Sequence, residues 1–358
     1  LWFASHPDAK TICITGTKGK STTSAMIAHV LRACGLRVRL AGNIGLPLLD
    51  CDDENVDWWV IELSSYQLAD LEAKPTIGVL LNLSPEHLDW HGGEAAYRRD
   101  KLRLAQLCRD SIVVPNSADP AFTEALSGFE NVRWFNNLAG IHVSGSRLFD
   151  GRRELLSDLP SGLPGQHNLS NAAATLTVMA VAGVDLDRAA ASMRTFRGLP
   201  HRLQRVGDRA GRLFVNDSIS STPLATDAAL SAFSDQRITL IVGGLDRGLD
   251  WSPYMDSFRR RTPAAVIALP DNGGRIIDTM RAAGVEPENG LHLVADLTEA
   301  IELAQRLTAR GGLVLLSPGA PSFPRFRDYR DRGRQFTEGC GFELDEWDIF
   351  QNNQYSGS

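Results

Sequence analysis

The segment from Thr11 to Leu31 reads TICITGTKGKSTTSAMIAHVL, and it constrains the fold more than any other part of the chain. A β-branched apolar run enters a glycine-rich turn, and apolar residues at helical spacing follow the turn. This arrangement places the backbone N–H groups of the turn and the positive end of a helix around a bound anion. We therefore expect a phosphate loop made of Gly16, Thr17, Lys18, Gly19, Lys20, Ser21 and Thr22.

The lysine and hydroxyl side chains of this loop suit a nucleotide bound with Mg²⁺. In such loops the lysine reaches the terminal phosphates and the next hydroxyl ligates the metal, which assigns these roles to Lys20 and Ser21. The spacing is the short G-x-x-G-K-S form, because Ile14 stands where the longer pattern has its first glycine. A glycine-rich turn with a chance Lys-Ser pair is the alternative, and the strand-turn-helix context disfavours it.

Apolar runs alternate with helical patterns along the chain, which predicts an α/β fold. TICIT, WWVIEL, TIGVLLNL and SIVVPN are apolar throughout, as expected for a parallel sheet that is covered on both faces. IHVSGSRLFDGRRELL suggests a β-hairpin pair, and a second α/β alternation begins at LFVND. The segment FRGLPHRLQ suits a linker between domains. We expect one domain at 1–197, a smaller one at 198–338 and a disordered tail at 339–358.

Composition and charge exclude several classes of function. The formal net charge of -6 gives no basic footprint for nucleic acid or for a membrane surface. The longest apolar stretch, residues 172–184, is too short to span a bilayer. Five scattered cysteines indicate reduced thiols, so we expect a soluble cytoplasmic protein. The opening LWFASHPDAK has neither an initiator Met nor a signal peptide, which suggests a piece of a longer chain.

Acidic and imidazole side chains follow two of the predicted strands. Glu62 ends the run WWVIEL, and Glu86, His87 and Asp89 follow TIGVLLNL. The carboxyl ends of parallel strands meet at one edge of a sheet, so these groups should lie near the phosphate loop, where they could hold Mg²⁺. For each group taken alone, the alternative is a strand-end carboxylate in an ion pair or a structural histidine.

Lys101 lies on the apolar face of a predicted helix. Tyr97, Leu104, Ala105 and Cys108 stand at -4, +3, +4 and +7 from this lysine, so they share its face. A lysine that faces the core needs a partner or a lowered pKa, which makes a functional role one interpretation. The second interpretation is a side chain whose ammonium group reaches solvent at the edge of the helix.

A set of motifs occurs in a fixed order from about residue 11 to about residue 336: TGTKGKSTT, GNIG, ELSSYQL, LNLSPEHLDWH, GQHNLSNAAA, LPHRLQ, NDS, GGLDRG and LLSPGAPSF. This ordered set resembles the Mur ligase family, and GNIG and ELSSYQL are similar to its MurD type. The resemblance implies a central P-loop-type parallel sheet domain followed by a smaller Rossmann-like C-terminal domain. The family also has an N-terminal domain that holds a uridine nucleotide. We expect this chain to be the catalytic two-thirds of such an enzyme.

The resemblance implies that the chain forms a peptide bond with ATP through an acyl phosphate. Its substrates would be UDP-N-acetylmuramoyl-L-alanine and glutamate, in peptidoglycan synthesis. Lys20, His87 and Lys101 are the implied catalytic residues. Ser21 and Glu62 would hold one Mg²⁺ ion, and His87 would hold a second one with Lys101, which is carbamylated by CO₂ in the family. A carbamate requires a neutral amine and turns a core-facing cation into an anion that can meet a metal.

Further site residues come from the resemblance alone. Asn168 and Asn171 are implied to contact adenine, although N-capping of a helix is the alternative for Asn168. Arg202 and Asp217 are implied to reach the nucleotide from beyond the linker, so domain closure should complete the site. We expect a monomer. The substrate-binding set comprises Asn43 for the muramoyl-alanine end, Ser65, and, for glutamate, Ser221, Arg247, Ser322 and Phe323.

Two positions depart from the MurD pattern. Ile219 stands where the family's NDSKAT segment has a lysine, and Arg247 replaces the lysine of the later glycine-rich segment. In the family both positions surround the side chain of the incoming glutamate, and the branch that attaches L-glutamate shows this kind of altered pocket. The resemblance therefore implies L-glutamate, with D-glutamate as the alternative. A folylpolyglutamate synthase-like ligase and a non-catalytic P-loop nucleotide switch are two competing hypotheses for the function.

Overall fold

The computed structural model describes residues 1–44, 47–51, 55–86, 88–159, 163, 165 and 167–343. These residues form two compact units, with Leu1–Arg197 in the first and the residues from Gly198 onward in the second. Each unit has its own sheet and its own hydrophobic core, which confirms the predicted α/β fold class. None of the helices in these residues combines the length and the apolar character that a bilayer crossing requires.

A five-stranded parallel sheet forms the centre of the first unit. Its spatial order is β2-β3-β1-β4-β5, where the strands are β1 (Thr11–Thr15), β2 (Val38–Gly42), β3 (Trp58–Glu62), β4 (Ile77–Leu80) and β5 (Ile112–Pro115). All residues of β1 are buried between its two neighbours, which explains its unbroken apolar run. The carboxyl ends of β1, β3 and β4 therefore meet at one edge of the sheet.

Helices and a small antiparallel sheet complete the first unit. The helices are α1 (Trp2–Ser5), α2 (Lys20–Ala33), α3 (Ser65–Leu68), α4 (Leu88–His91), α5 (Glu94–Leu107), α6 (Pro120–Ala125), α7 (His167–Val181) and α8 (Leu186–Met193). α2 packs against β3 and α7 through a buried face that includes Met26, Ile27 and Leu31. The predicted hairpin pair is a three-stranded sheet of β6 (Ile141–Ser144), β7 (Arg147–Asp150) and β8 (Arg153–Leu156).

A six-stranded sheet forms the centre of the second unit. Its spatial order is β13-β12-β11-β14-β10-β9, where the strands are β9 (Gln204–Arg209), β10 (Arg212–Asn216), β11 (Ile238–Val242), β12 (Ala265–Ala268), β13 (Leu291–Leu293) and β14 (Leu313–Leu316). Only β9 runs antiparallel to its neighbour in this sheet. The helices are α9 (Pro223–Ala232), α10 (Met255–Arg260), α11 (Gly273–Ala282), α12 (Leu297–Leu307) and α13 (Tyr329–Gly339).

Both faces of the second sheet are buried. Along β11, Leu240 and Val242 lie in one core cluster, whereas Ile241 lies in a second cluster on the opposite face. Cys340 is buried in this second cluster and Phe342 packs against it, beyond the end of α13. The tail boundary predicted at residue 339 therefore falls inside the packed part of the chain, because the polar tail sequence begins only after Phe342.

Two strands at sheet edges are missing from the prediction. β2 carries Arg39 among apolar residues and has a neighbour on one side only, so it lacks the unbroken apolar run of the central strands. β9 and β10 are joined by Ala210 and Gly211, both of which have a positive φ. That two-residue turn is typical of a β-hairpin, and it places β9 at the end of the segment predicted as a linker.

Candidate active site

The loop that the sequence predicts to bind phosphate lies between β1 and α2. β1 ends at Thr15 and α2 begins at Lys20, so residues 16–19 alone turn the chain. Gly19 has a φ of 85°, in the left-handed region that favours glycine. A Cβ atom at Gly19 would lie 2.6 Å from Asn171 Oδ1, which places α7 next to the loop. The positive end of α2 therefore lies at the carboxyl edge of the sheet.

Two lysines converge on the carbonyl group of Gly16. Lys20 Nζ donates to Gly16 O and to Thr17 O, both at 2.9 Å. Lys101 Nζ donates to the same Gly16 O at 2.8 Å and to Thr15 Oγ1 at 3.3 Å. The backbone of the loop thus holds two amino groups at the edge where the helix end favours an anion.

Lys101 is buried, as its place on the apolar face of α5 predicts. Only 3% of its surface is exposed, and its Nζ atom lies 5.8 Å from the centre of the Tyr97 ring. Burial and the charge of Lys20 lower the pKa of Lys101 to about 7, against the opposing charges of Glu86 and Glu62. A large share of this amine is therefore neutral at neutral pH, and a neutral lysine amine can act as a nucleophile toward CO₂.

Glu62, the last residue of β3, has one paired and one unpaired oxygen atom. Its Oε1 accepts a hydrogen bond from Asn43 Nδ2 at 2.9 Å. Its Oε2 is buried and has no hydrogen-bond partner among the described residues. Because a buried carboxylate oxygen without a partner is costly, this atom suits coordination to a cation. Ser21 is the second residue of α2 and is half-buried, so it can offer a hydroxyl ligand at the same edge.

The loop after β4 is bonded directly to the phosphate loop. Thr17 Oγ1 and the Tyr97 hydroxyl form a hydrogen bond of 2.8 Å. Lys18 N donates to Asn82 Oδ1 at 2.8 Å, and Lys18 Nζ lies 2.6 Å from Glu86 Oε1. Glu86, which the sequence suggests as a group near Mg²⁺, is thus the ion-pair partner of Lys18. Tyr97 and Asn82 support the loop, and sequence analysis does not identify either of them in that role.

His87 and Asp89 are the other two groups that the sequence predicts after β4. Asp89 is exposed on α4, and His87 lies outside the described residues. Within the ranges that the structure describes, no group of three or more His, Cys, Asp or Glu side chains could hold a metal ion. The predicted Mg²⁺ ligands are not such a cluster, because they include the Ser21 hydroxyl and the carbamylated amine of Lys101.

α7 brings two buried asparagines towards the phosphate loop. Asn171 Nδ2 donates to Asn168 Oδ1 at 3.0 Å. α7 begins at His167, so Asn168 lies inside the helix and the N-cap alternative does not apply to it. Since Asn171 also borders Gly19, the pair lies next to the position where a nucleotide would be bound.

Two residues predicted to bind substrate, Asn43 and Ser65, follow β2 and β3. Asn43 comes directly after β2, and its backbone N–H donates to Glu62 O at 2.9 Å. Ser65 is the first residue of α3 and is buried, while Ser64 caps this helix by accepting from Gln67 N. Both predicted residues are therefore at the same carboxyl edge as the phosphate loop.

In the second unit, Asp217 is buried directly after β10. Ser317 Oγ donates to Asp217 Oδ2 at 2.8 Å, and Leu203 N donates to Asp217 Oδ1 at 3.1 Å. Burial raises the pKa of Asp217 to about 7, although these hydrogen bonds and the charges of Arg202 and Arg332 oppose the increase. Asp217 therefore titrates near neutral pH.

The residues predicted for glutamate lie on three loops of the second unit. These loops follow β10, β11 and β14, which are parallel neighbours, so they begin at one edge of the sheet. Ile219 is half-buried on the first loop. Arg202, which is predicted to reach the nucleotide and not glutamate, precedes β9 and is exposed. The predicted set consists of Ser221, Arg247 and Phe323, which are exposed, and Ser322, which is buried.

Arg332 on α13 is a buried cation that sequence analysis does not identify. Its Nη2 donates to Ser218 O at 2.7 Å and to Ala320 O at 3.0 Å, so it connects the loops after β10 and β14. Burial lowers its pKa to about 10. Its burial could have been inferred from helical spacing, because Arg332 stands four residues before the buried Phe336 on the same face of α13.

Comparison with known proteins gives two family matches along the chain. Residues 14–179 match the Mur ligase middle domain, and residues 201–320 match the Mur ligase, glutamate ligase domain. The UDP-N-acetylmuramoyl-L-alanine--L-glutamate ligase of Xanthomonas euvesicatoria pv. vesicatoria (strain 85-10) is 45% identical over 354 residues, which cover 96% of this chain and 76% of that protein. A ligase of the same name from Micromonospora sp. (strain ATCC 39149 / NRRL 15099 / SCC 1413) is 42% identical over 347 residues, or 94% of this chain and 75% of the relative.

Solved structures support the fold. The MurF ligase from Thermotoga maritima in complex with ADP has a TM-score of 0.70 at 16% identity, covering 95% of this chain and 81% of that one. The UDP-N-acetylmuramate-alanine ligase MurC from Thermotoga maritima has a TM-score of 0.68 at 20% identity, covering 94% and 76%. With both domain matches and close relatives over nearly its whole length, the chain belongs to the Mur ligase family, whose members are ATP-dependent ligases.

Proposed function

We propose that this protein joins L-glutamate to UDP-N-acetylmuramoyl-L-alanine, using ATP, in the synthesis of peptidoglycan precursors. Relatives whose names state this activity support the proposal. The observation that carries it is the buried amine of Lys101, which shares Gly16 O with Lys20 at the phosphate loop. A protein that only switches between nucleotide states needs no lysine of lowered pKa at this position.

The chemistry would proceed in two steps through an acyl phosphate. A carboxylate oxygen of UDP-N-acetylmuramoyl-L-alanine attacks the γ-phosphorus of ATP, and the bond to the bridging oxygen breaks as ADP leaves. The neutral amine of glutamate then attacks the acyl carbon, the bond to phosphate breaks, and the nitrogen loses a proton. Backbone N–H groups of the phosphate loop would bind the β- and γ-phosphates, and Lys20 would neutralise charge on the transferred group.

The residues at this edge of the first sheet fit Mg²⁺. Glu62 has a buried oxygen without a partner in the described part of the chain, and Ser21 offers a hydroxyl, so we assign one ion to this pair. We assign a second ion to His87 and to Lys101 carbamylated by CO₂. Bound Mg²⁺ supplies positive charge that stabilises the transferring phosphoryl group. Carbamylation would also replace the repulsion between Lys101 and Lys20 by attraction.

The remaining contacts of the first unit follow from their places around the loop. We assign adenine to Asn168 and Asn171, because Asn171 borders Gly19. We assign the muramoyl-alanine end to Asn43 and Ser65, because both follow strands that end beside β1. The phosphate-loop, metal and adenine contacts would thus belong to residues 1–197, whereas residues 198–338 would bind glutamate and supply Arg202 and Asp217 to the nucleotide.

The preference for L-glutamate over D-glutamate is the most specific part of the proposal. Ile219 places an apolar side chain on the loop after β10, where the resemblance to the MurD type implies a lysine, and Arg247 supplies an exposed guanidinium on the loop after β11. A guanidinium binds a carboxylate through two parallel hydrogen bonds, whereas an ammonium is a point charge. A change in the number and geometry of cations would therefore change which enantiomer places its side-chain carboxylate correctly. Ser221, Ser322 and Phe323 would complete the site.

Stereospecific turnover tests the proposal directly. The enzyme, expressed from its complete gene, is given ATP, Mg²⁺, UDP-N-acetylmuramoyl-L-alanine and either enantiomer of glutamate, and phosphate release is measured. We expect kcat/KM for L-glutamate to exceed that for D-glutamate by about a hundredfold or more, since the wrong enantiomer leaves charged groups unpaired. A preference for D-glutamate would overturn the stereochemical assignment. Turnover of folates in place of the muramoyl substrate would favour the folylpolyglutamate synthase-like alternative.

Substitution of Lys101 tests the catalytic assignment. We expect Lys101→Ala to reduce kcat by at least about a hundredfold, because a ligand of the proposed second ion is lost, and short carboxylic acids should restore part of the activity by replacing the carbamate. Lys74→Ala is a matched control, since Lys74 is exposed on the loop before β4. Full turnover by Lys101→Ala would contradict the metal assignment.

A further inference from the structure

Two large aromatic side chains are exposed beside the candidate active site. Trp90 on α4 is 57% exposed and Tyr66 on α3 is 40% exposed, and their rings meet edge to face with centroids 4.6 Å apart. His91 stacks on Tyr66 at 5.6 Å and packs against Trp90 at 4.5 Å. We call Tyr66, Trp90 and His91 the aromatic platform. Exposed aromatic groups of this kind mark interaction sites more often than single exposed apolar residues do.

The platform is held in place by a buried pair between α4 and α5. The His91 side chain is fully buried, and its Nδ1 lies 2.7 Å from Asp100 Oδ2. A carboxylate only accepts hydrogen bonds, so Nδ1 is the donor and the orientation of the ring is fixed. His91 Nε2 is buried without a hydrogen-bond partner in the described residues, so the ring is retained at some cost. That cost is understandable if the ring supports a binding surface.

A short chain of contacts joins the platform to the phosphate loop. The His91 ring lies 5.2 Å from the ring of Tyr97, and the Tyr97 hydroxyl is hydrogen-bonded to Thr17 Oγ1 at 2.8 Å. The acceptor carboxylate of the proposed substrate must lie beside the γ-phosphate bound at this loop. In that substrate an alanyl and a lactoyl group separate the carboxylate from the sugar, which is two residue lengths or about 7 Å when extended. The sugar would therefore lie about that far from the acceptor carboxylate, and the platform is an exposed surface that contacts the phosphate loop through Tyr97.

We propose that the aromatic platform binds the apolar face of the N-acetylmuramoyl sugar, an inference that rests on the proposed function. Hydrogen atoms on one face of a pyranose carry partial positive charge, and the face of an aromatic ring carries partial negative charge. Stacking would also remove from water the apolar surface that Trp90 and Tyr66 now expose. The platform thus selects a sugar substrate, whereas the phosphate loop selects ATP.

Steady-state kinetics of platform variants test this assignment in the enzyme expressed from its complete gene. We expect Trp90→Ala and Tyr66→Ala each to raise the KM for UDP-N-acetylmuramoyl-L-alanine about threefold to tenfold, with the KM values for ATP and glutamate changed by less than about twofold. Trp90→Phe and Tyr66→Phe should keep most of the affinity because a ring remains. Leu138→Ala is the control, since Leu138 is exposed outside the platform and outside the site.

His91 acts as a positioning residue and needs a separate readout. His91→Asn and Asp100→Asn should raise the same KM in the same direction as Trp90→Ala. Combining either with Trp90→Ala should add little, because both changes disable one surface. A variant that fails to fold would be recognised by loss of ATP binding, and the Phe variants then carry the test.

The outcomes separate the platform from the proposed function. If the wild-type enzyme does not turn over UDP-N-acetylmuramoyl-L-alanine, the proposed function fails. If it does, and Trp90→Ala and Tyr66→Ala leave the KM for that substrate unchanged or raise only the KM for ATP, the platform assignment is wrong. A selective increase that the Phe variants restore supports it.

Discussion

Replacing Asp217 by Asn should abolish a pH-dependent loss of stability in the second unit. The pKa of this buried carboxyl group is raised from an ordinary value of 3.8 to about 7, mainly by burial. The folded state therefore holds a proton that the unfolded state has released between pH 4 and 7, so folding stability falls as the pH rises through this range. Since each tenfold change in proton affinity is worth about 1.4 kcal/mol, the full loss is about 4 kcal/mol. About 3 kcal/mol of it occurs between pH 5 and pH 8.

Hydrogen exchange measured by mass spectrometry can locate this effect in one unit. Peptides from β10 and β14 report the free energy of opening around Asp217 after correction for the intrinsic pH dependence of exchange. For the wild-type protein we expect this free energy to fall by about 3 kcal/mol from pH 5 to pH 8. For Asp217→Asn we expect little change, because Asn carries no ionisable group. Asp235→Asn is the matched control, since Asp235 is exposed in the same unit.

The opposite result would show that Asp217 is ionised and acts mainly as a counter-ion for Arg332. In that case Asp217→Asn would leave a buried guanidinium group without its counter-charge, and breaking such a pair costs about 3–5 kcal/mol. The variant would then be less stable than the wild type at pH 8, and the wild-type protein would show no fall between pH 5 and pH 8. Either observation refutes the reasoning from burial.

Three further predictions concern the phosphate loop. Gly19→Ala should weaken ATP binding by about tenfold, because the left-handed φ and the contact with Asn171 Oδ1 exclude a Cβ atom; unchanged affinity in calorimetry would contradict this. Glu62→Gln should raise the Mg²⁺ concentration for half-maximal turnover by about tenfold, because a neutral amide is a weaker ligand, and an unchanged Mg²⁺ titration would exclude Glu62 as a ligand. Tyr97→Phe should raise the KM for ATP about fivefold by removing the hydrogen bond to Thr17, with kcat less affected; an equal loss in kcat alone would contradict a supporting role.

Local patterns were sufficient to predict the parts of the first unit that depend on neighbouring residues. The strand-turn-helix context placed the phosphate loop, because β1 and α2 are adjacent in sequence. Helical spacing placed Lys101 on the apolar face of its helix, but it left open whether the ammonium group reaches solvent; the structure shows this side chain buried. The edge strands β2 and β9 were missed because charged residues interrupt the apolar run of both strands.

Contacts between distant segments could not be predicted in the same way. Tyr97 supports Thr17 across 80 residues of sequence, and Arg332 bonds to Ser218 across 114 residues. Neither partner carries a local signal for the other, because any Tyr or Arg on a helix face has the same pattern. The pairing of Glu86 with Lys18 shows the converse, since a strand-end carboxylate that suggested a metal site formed an ion pair instead.

The shared carbonyl group of Gly16 makes the two lysines of the candidate active site a single energetic unit. Lys20 and Lys101 are far apart in the chain, yet both amines donate to one acceptor atom and each repels the other. A substitution at one lysine therefore changes the hydrogen bonding and the charge felt by the other. Effects of single substitutions at Lys20 and Lys101 should not add, and a double-mutant cycle should give a coupling energy of about 1–3 kcal/mol. The activity lost on removing one lysine thus includes part of the other's contribution.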